Sequence, residues 1–220
     1  MRRNNSLGRK RDIMLTANIA VFVSGGGTNL QALIDSEASG RIPSGRIKLV
    51  LSSNPGAYAL KRAESAGIDS VCVCKKDAVN QDEFESKIIS YLDKYDIDLI
   101  VLAGFMSILS EKFTEKYANR IINVHPSLIP SFCGEGFYGL RVHRAALDYG
   151  VKVTGATVHY VNEIPDGGEI ILQKAVDVEP GDTPEILQRR VMEKAEWIIL
   201  PQAAQIVADN IAREKQEAKK

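Results

Sequence analysis

Three scarcities narrow what this chain can do. It has only three cysteines, Cys72, Cys74 and Cys133, in 220 residues. An odd number without a secretory signal argues against a disulfide framework and for a reducing, cytoplasmic setting. No second Cys or His pair matches the Cys72/Cys74 spacing, so those two read as ordinary strand residues and no metal is expected. There is no surplus charge either: 28 Lys and Arg balance 28 Asp and Glu. That balance removes the electrostatic case for nucleic acid or an anionic membrane as partner. No apolar run approaches the roughly 20 residues that span a bilayer. A Gly-x-Ser-x-Gly nucleophile elbow is missing, and so is the Gly-Lys-Ser/Thr that completes a Walker loop. Small molecules remain as partners, taken by a monomer or a homodimer.

What is present is enough for a core, with 45% hydrophobic residues. Residues 1–11 are polar and basic with no apolar stretch behind them, unlike a signal peptide. Residues 1–16 are expected to form a disordered leader, with Met14 as an alternative natural start. Residues 17–212 should form a single domain and 213–220 a charged tail.

Short apolar runs alternate with helical patterns. Strands are expected at Ile19–Val23, Ile47–Leu51, Ser70–Val73, Leu99–Leu102 and Ile121–His125. Helices are expected at Asn29–Ser36, Tyr58–Ala66, about Gln81–Tyr95 and Ser110 to about Tyr117. This alternation implies an α/β fold with a doubly wound, mostly parallel sheet. The chain then changes character. Pro126–Gly139 reads as a loop and Val142–Tyr149 as a short helix. Val153–Val161 and Ile170–Val176 read as strands of an antiparallel C-terminal extension, joined by the turn-forming Pro165-Asp166-Gly167-Gly168. A last helix opens at Thr183-Pro184, and Pro201 is expected to kink it.

Two segments carry chemistry. Ser24-Gly25-Gly26-Gly27-Thr28-Asn29 lies between a strand and a helix. Glycines let backbone N–H groups approach an anion, and a helix start attracts phosphate. As a dinucleotide fingerprint the loop is poor, because Leu30 occupies the third glycine position and Ser52-Ser53-Asn54 offers no acid for a ribose diol. A phosphate monoester suits it better; the plainer alternative is a packing turn. The second segment is Asn123-Val124-His125-Pro126. Along a strand Asn123 and His125 face the same way, and Pro126 ends the pairing. An imidazole that can carry a proton and an amide that can donate are thus displayed at the carboxyl edge of the sheet. With Asp166 they make the candidate catalytic set. His159 suits a hydrogen-bonded structural role, and His143, between Arg141 and Arg144, is expected near the surface. Cys133, in the loop after His125, leaves a covalent Cys–His mechanism as a minor alternative.

The chain resembles the phosphoribosylglycinamide formyltransferases, folate-dependent enzymes of purine synthesis. The resemblance rests on Val23-Ser-Gly-Gly-Gly-Thr-Asn-Leu-Gln-Ala-Leu-Ile-Asp35, Leu102-Ala-Gly-Phe-Met106, Asn123–Pro130, and Val158-His-Tyr-Val161 followed by Asp166-Gly-Gly168. It implies a Rossmann-like formyltransferase fold from about Ile19 to Gln205. It implies transfer of the formyl group of 10-formyltetrahydrofolate, as cosubstrate, to the amine of glycinamide ribonucleotide by direct attack through a tetrahedral intermediate. His125 and Asn123 would stabilise the oxyanion, and Asp166 would position His125 and a proton-carrying water. Gly25, Gly26, Gly27, Thr28 and Asn29 would hold the phosphate. A carboxylate of the last helix would hold the ribose: Glu196 matches best, with a one-residue shift in the alignment, and Glu193 is the alternative. Met106 would meet the glycinamide arm, and Ser107, Ile108, Leu109, Phe113, Ile121, Val161 and Asn162 the folate. Ser107 stands where some members have an Arg that meets the folate tail, and Cys133–Gly139 is longer than in some members. Alternatives are a formyltetrahydrofolate hydrolase, disfavoured because no regulatory domain precedes the first strand; a formyltransferase for an aminoacyl-tRNA or amino sugar; and a non-catalytic phosphometabolite-binding protein.

Overall fold

The apolar runs form seven strands whose order explains where a ligand can enter. The computed structural model describes residues 15–219; residues 1–14 of the expected leader and the last residue of the tail lie outside the described residues. The strands are β1 (Ala17–Val23), β2 (Gly45–Ser52), β3 (Ser70–Cys72), β4 (Leu99–Leu102), β5 (Ile121–His125), β6 (Val153–Tyr160) and β7 (Ile170–Asp177). They lie in one sheet in the order β3-β2-β1-β4-β5-β6-β7. The first five are parallel, while β6 runs antiparallel to β5 and β7 to β6. The order reverses between β1 and β4, and the loops leaving those strands diverge there. A doubly wound sheet opens its ligand crevice at such a point.

Helices cover both faces: α1 (Thr28–Ala38), α2 (Tyr58–Ser65), α3 (Gln81–Lys94), α4 (Glu111–Lys116), α5 (Leu140–Tyr149), α6 (Pro184–Val191) and α7 (Trp197–Glu217). Alternation along β1 splits the core. Ile19, Val21 and Val23 pack with Leu30 and Leu33 of α1 and with α7, while Ala20 and Phe22 pack with Phe84, Ile88 and Leu92 of α3. Phe22 is fully buried, so truncating it to Ala would cost about 3–5 kcal/mol.

Element boundaries shift by a residue or two from the sequence reading, as helix and strand ends do. Cys72 ends β3 and Cys74 is buried just beyond it; both are free thiols, their sulfurs 3.4 Å apart. Residues 213–217 of the expected tail continue α7. There Lys215 Nζ donates to Asp98 at 2.5 Å and to the Thr16 carbonyl at 3.3 Å, tying the last helix to the chain just before β1. The backbone irregularity near Pro201 lies before α7, as a π-helical turn at Met192–Glu196. Pro201 itself is buried inside α7. His143 departs from expectation. It is 1% exposed, because α5 turns Val142, His143 and Ala146 inward together. The flanking arginines report only their own positions on the helix. Burial, and then the nearby His125, push the His143 imidazole down to about 4, so it is neutral in the fold.

Candidate active site

The end of β5 sets the first half of the site. Asn123 and His125 alternate onto one face, and the antiparallel register places His159 of β6 opposite Asn123. The Asn123 amide nitrogen lies 3.2 Å from His159 Nε2. Asp166 arrives on the turn between β6 and β7 with a left-handed φ of 56°, which aspartate adopts more readily than most residues. A Cβ on Gly168 would lie 1.8 Å from the Tyr160 carbonyl oxygen, so only glycine lets the turn fold back onto β6. Asp166 Oδ2 then lies 3.3 Å from His125 Nδ1, and Oδ1 lies 3.5 Å from His159 Nε2. The structure thus brings Asn123, His125 and Asp166 together, with His159 joining the amide to the carboxylate.

The electrostatics of this cluster are opposed. Burial lowers the His125 pKa, while Asp166 and the Phe132 carbonyl, 2.9 Å from Nε2, favour the charged ring; the net shift is downward. When protonated, His125 donates from both nitrogens, to Phe132 O and to Asp166. Burial raises Asp166, but the hydrogen bond from His159, the His125 charge and the Gly134 N–H at 2.8 Å outweigh it and hold the carboxyl below its ordinary value. His159 Nδ1 donates to the Tyr160 carbonyl at 2.7 Å. His159 Nε2 therefore stands between the Asn123 amide and Asp166 Oδ1.

The second half of the site follows β1 and β4. Ser24–Asn29, Ala103, Gly104 and Met106 line a cavity of about 310 Å³. Gly27 has a φ of 72°, and a Cβ there would meet the Ala59 Cβ at 2.6 Å. α1 starts at Thr28 without a side-chain cap, so its first-turn N–H groups are free to serve an anion. The Ser24 hydroxyl accepts the Met106 N–H at 2.9 Å, fixing the loop after β4 against the loop after β1. Asn29 Nδ2 donates to Glu196 Oε2 at 2.6 Å. The π-helical turn leaves Glu196 buried and Glu193 exposed. Burial raises the Glu196 carboxyl to about 7 against the opposing Asn29 hydrogen bond.

The expected folate residues divide into a surface and its backing. Met106 and Ile108 are exposed, and Ser107, Leu109, Val161 and Asn162 are half-buried. Phe113 and Ile121 are fully buried, in one apolar cluster with Leu109 and Val161, and so stand behind them. Sequence reasoning missed the Phe132 carbonyl on His125, and it missed Glu85. That buried carboxylate accepts from the Ser110 N–H and hydroxyl and from Gln81, whose amide also donates to the Ile108 carbonyl. An acid on the inward side of an amphipathic helix is the one signal that could have found it. The Cys133 thiol is pushed up by burial and by Asp166, which disfavours the thiolate of a covalent mechanism. Among the described residues no cluster of three or more His, Cys, Asp or Glu could hold a metal, and no helix is long and apolar enough to cross a membrane.

Comparison with known proteins gives the family of the chain. The formyl transferase family matches residues 17–204. The chain is 43% identical, over 83% of its length and 83% of the relative's, to the phosphoribosylglycinamide formyltransferase of Haemophilus influenzae. It is 46% identical over 87% of its length to the human trifunctional purine biosynthetic protein adenosine-3, of which it spans only 18%. Among solved structures, glycinamide ribonucleotide transformylase 1 from Symbiobacterium toebii superposes with a TM-score of 0.82 at 41% identity, covering 89% of each chain.

Proposed function

The chain belongs to the formyl transferase family, and we propose that it transfers the formyl group of 10-formyltetrahydrofolate to the amine of glycinamide ribonucleotide in purine synthesis. Relatives at 41–43% identity are named for formyl transfer to glycinamide ribonucleotide. The observation that carries the reading is the pairing of two half-sites on one sheet edge. A glycine-lined cavity of about 310 Å³, roomy enough for a phosphate and part of its ester, follows β1 and β4, and the Asn123–His125–Asp166 cluster follows β5, the strand next to β4.

In this reading the substrate phosphate lies against Gly25–Asn29, and ionised Glu196 accepts from the ribose. The Met106 backbone guides the glycinamide arm. The folate ring takes the half-buried surface of Ser107–Leu109 and Val161–Asn162, backed by Phe113 and Ile121. The amine nitrogen attacks the formyl carbon, the carbonyl π pair moves onto oxygen, and the bond to the folate nitrogen then breaks. One proton leaves the amine and one arrives on the folate nitrogen, relayed by a water that Asp166 orients. Charged His125 and the second N–H of Asn123 stabilise the oxyanion; one such donor is worth about 10²–10³ in rate. The Phe132 carbonyl occupies His125 Nε2, so its loop segment must yield that nitrogen for direct contact.

The test is to mix the protein with 10-formyltetrahydrofolate, with and without glycinamide ribonucleotide, and follow tetrahydrofolate release. Release only with the amine is expected. Equal release without it would mean hydrolysis, and none in either mixture a binding protein.

A further inference from the structure

The residues that line the cavity after β1 carry no charge: Ser24, three glycines, Thr28, Asn29, Ala103, Gly104 and Met106. A phosphate monoester dianion held there meets backbone N–H groups and the start of α1, which together are worth about half a positive charge. Ionised Glu196, bonded to Asn29, adds negative charge nearby. The lining by itself leaves the dianion under-compensated.

Among the described residues, one cationic side chain is hydrogen-bonded to this loop. Arg62 of α2 donates from Nε to the Gly26 carbonyl at 2.8 Å and from Nη1 to Gln31 Oε1 at 3.0 Å. Its guanidinium lies 5.1 Å from the centroid of the Tyr58 ring. Three contacts therefore fix a side chain that is otherwise free to wander. Arg62 is absent from the lining of the loop's cavity; it lines a neighbouring one, with Thr28 as a shared wall. The connection between the two is the Gly26–Gly27 peptide. Its carbonyl takes the guanidinium, and its N–H, that of Gly27, has no backbone acceptor among the described residues. A peptide bonded to a cation at its oxygen is a stronger donor at its nitrogen. The same helix fixes the loop twice more, through the Ala59 N–H to the Gly25 carbonyl at 3.1 Å and through the close packing of Ala59 on Gly27.

We propose that Arg62 is the positioning residue that makes this loop selective for a phosphate monoester dianion: it pins the Gly26–Gly27 peptide and supplies from behind the positive charge that the cavity lacks. The proposal rests on the reading of the loop as the substrate's phosphate site. A merely structural Arg62 would affect phosphorylated and unphosphorylated substrates alike.

The experiment compares glycinamide ribonucleotide with its riboside, which lacks the phosphate, at saturating 10-formyltetrahydrofolate. Wild type, Arg62→Gln and Arg62→Lys are assayed, with melting curves to confirm folding. In Arg62→Gln the kcat/KM for the ribonucleotide should fall about tenfold, roughly 1.4 kcal/mol, chiefly through KM. The riboside value should move less than about twofold. Arg62→Lys keeps the charge and loses the fork, so its loss should be smaller, and it carries the test should Arg62→Gln fail to fold. Inorganic phosphate should also inhibit wild type more strongly than either variant. An unchanged ratio between the two substrates, whether both are lost or neither, overturns the proposal. A wild type that never formylates the ribonucleotide overturns instead the function on which the proposal stands.

Discussion

Asp166 Oδ2 faces two partners at once, His125 Nδ1 at 3.3 Å and the Gly134 N–H at 2.8 Å. One oxygen thereby joins the imidazole to the loop that follows β5. Asp166→Asn can still accept from Gly134 but cannot favour a charged His125. It should keep the fold and lower kcat by two or more orders of magnitude, with the Michaelis constants changed less than about threefold. His125→Ala should do the same. Steady-state kinetics with both substrates varied is the check, and near-normal turnover in either variant would remove that residue from the chemistry.

Glu196 gives a stability signature. Its folded value is raised from 4.5 to about 7 by burial. The folded chain therefore holds a proton that the unfolded chain releases. The resulting stabilisation is complete below 4.5 and is lost as pH rises through about 7. Glu196→Gln never ionises. Its stability relative to wild type should rise with pH, reaching an advantage of roughly 1–3 kcal/mol at pH 8 over that at acid pH. Denaturant melts at both ends of the range measure this, and a gap independent of pH would contradict a buried, proton-holding carboxyl.

Gly27 is held twice, by its left-handed φ and by Ala59. Gly27→Ala should cost about 1–3 kcal/mol and raise the Michaelis constant for the phosphorylated substrate, leaving that for the folate near normal. Adding Ala59→Gly removes the Cβ contact at 2.6 Å but leaves the Ala59 Cα at 2.9 Å and the φ, so stability should recover only in part. Full recovery would mean that the backbone conformation is free to change.

Glu85 fixes the segment before α4. Glu85→Ala leaves the Ser110 N–H without its carboxylate partner, at a cost of about 1–3 kcal/mol. It should raise the Michaelis constant for formyl-folate several-fold and spare that for the ribonucleotide. Glu85→Gln, which retains an acceptor oxygen, should restore most of the affinity. Equal effects on both substrates would show a general loss of stability rather than a misplaced folate loop.

The five parallel strands were legible because each is a short apolar run between turn residues, and so was the glycine loop after the first. The side chains of Asn123 and His125 share a face by strand alternation alone. His143 was misplaced because Arg141 and Arg144 reveal nothing about which side of α5 meets the sheet. Glu85 was missed because the residues it holds, Ser110 and those before it, belong to another segment. The choice between Glu193 and Glu196 turns on a π-helical turn, and such a turn has no local periodic signal.

Local stereochemistry in the sequence determined the parallel α/β sheet, the glycine loop after its first strand, and the display of an amide and an imidazole at its carboxyl edge. Tertiary structure alone decided what those groups touch. The antiparallel register of β6 set His159 against Asn123, the turn beyond it carried Asp166 to His125, and packing of the last helices brought Glu196 to Asn29. Those contacts join segments distant along the chain, so they depend on how whole faces pack together, and no window of neighbouring residues encodes that.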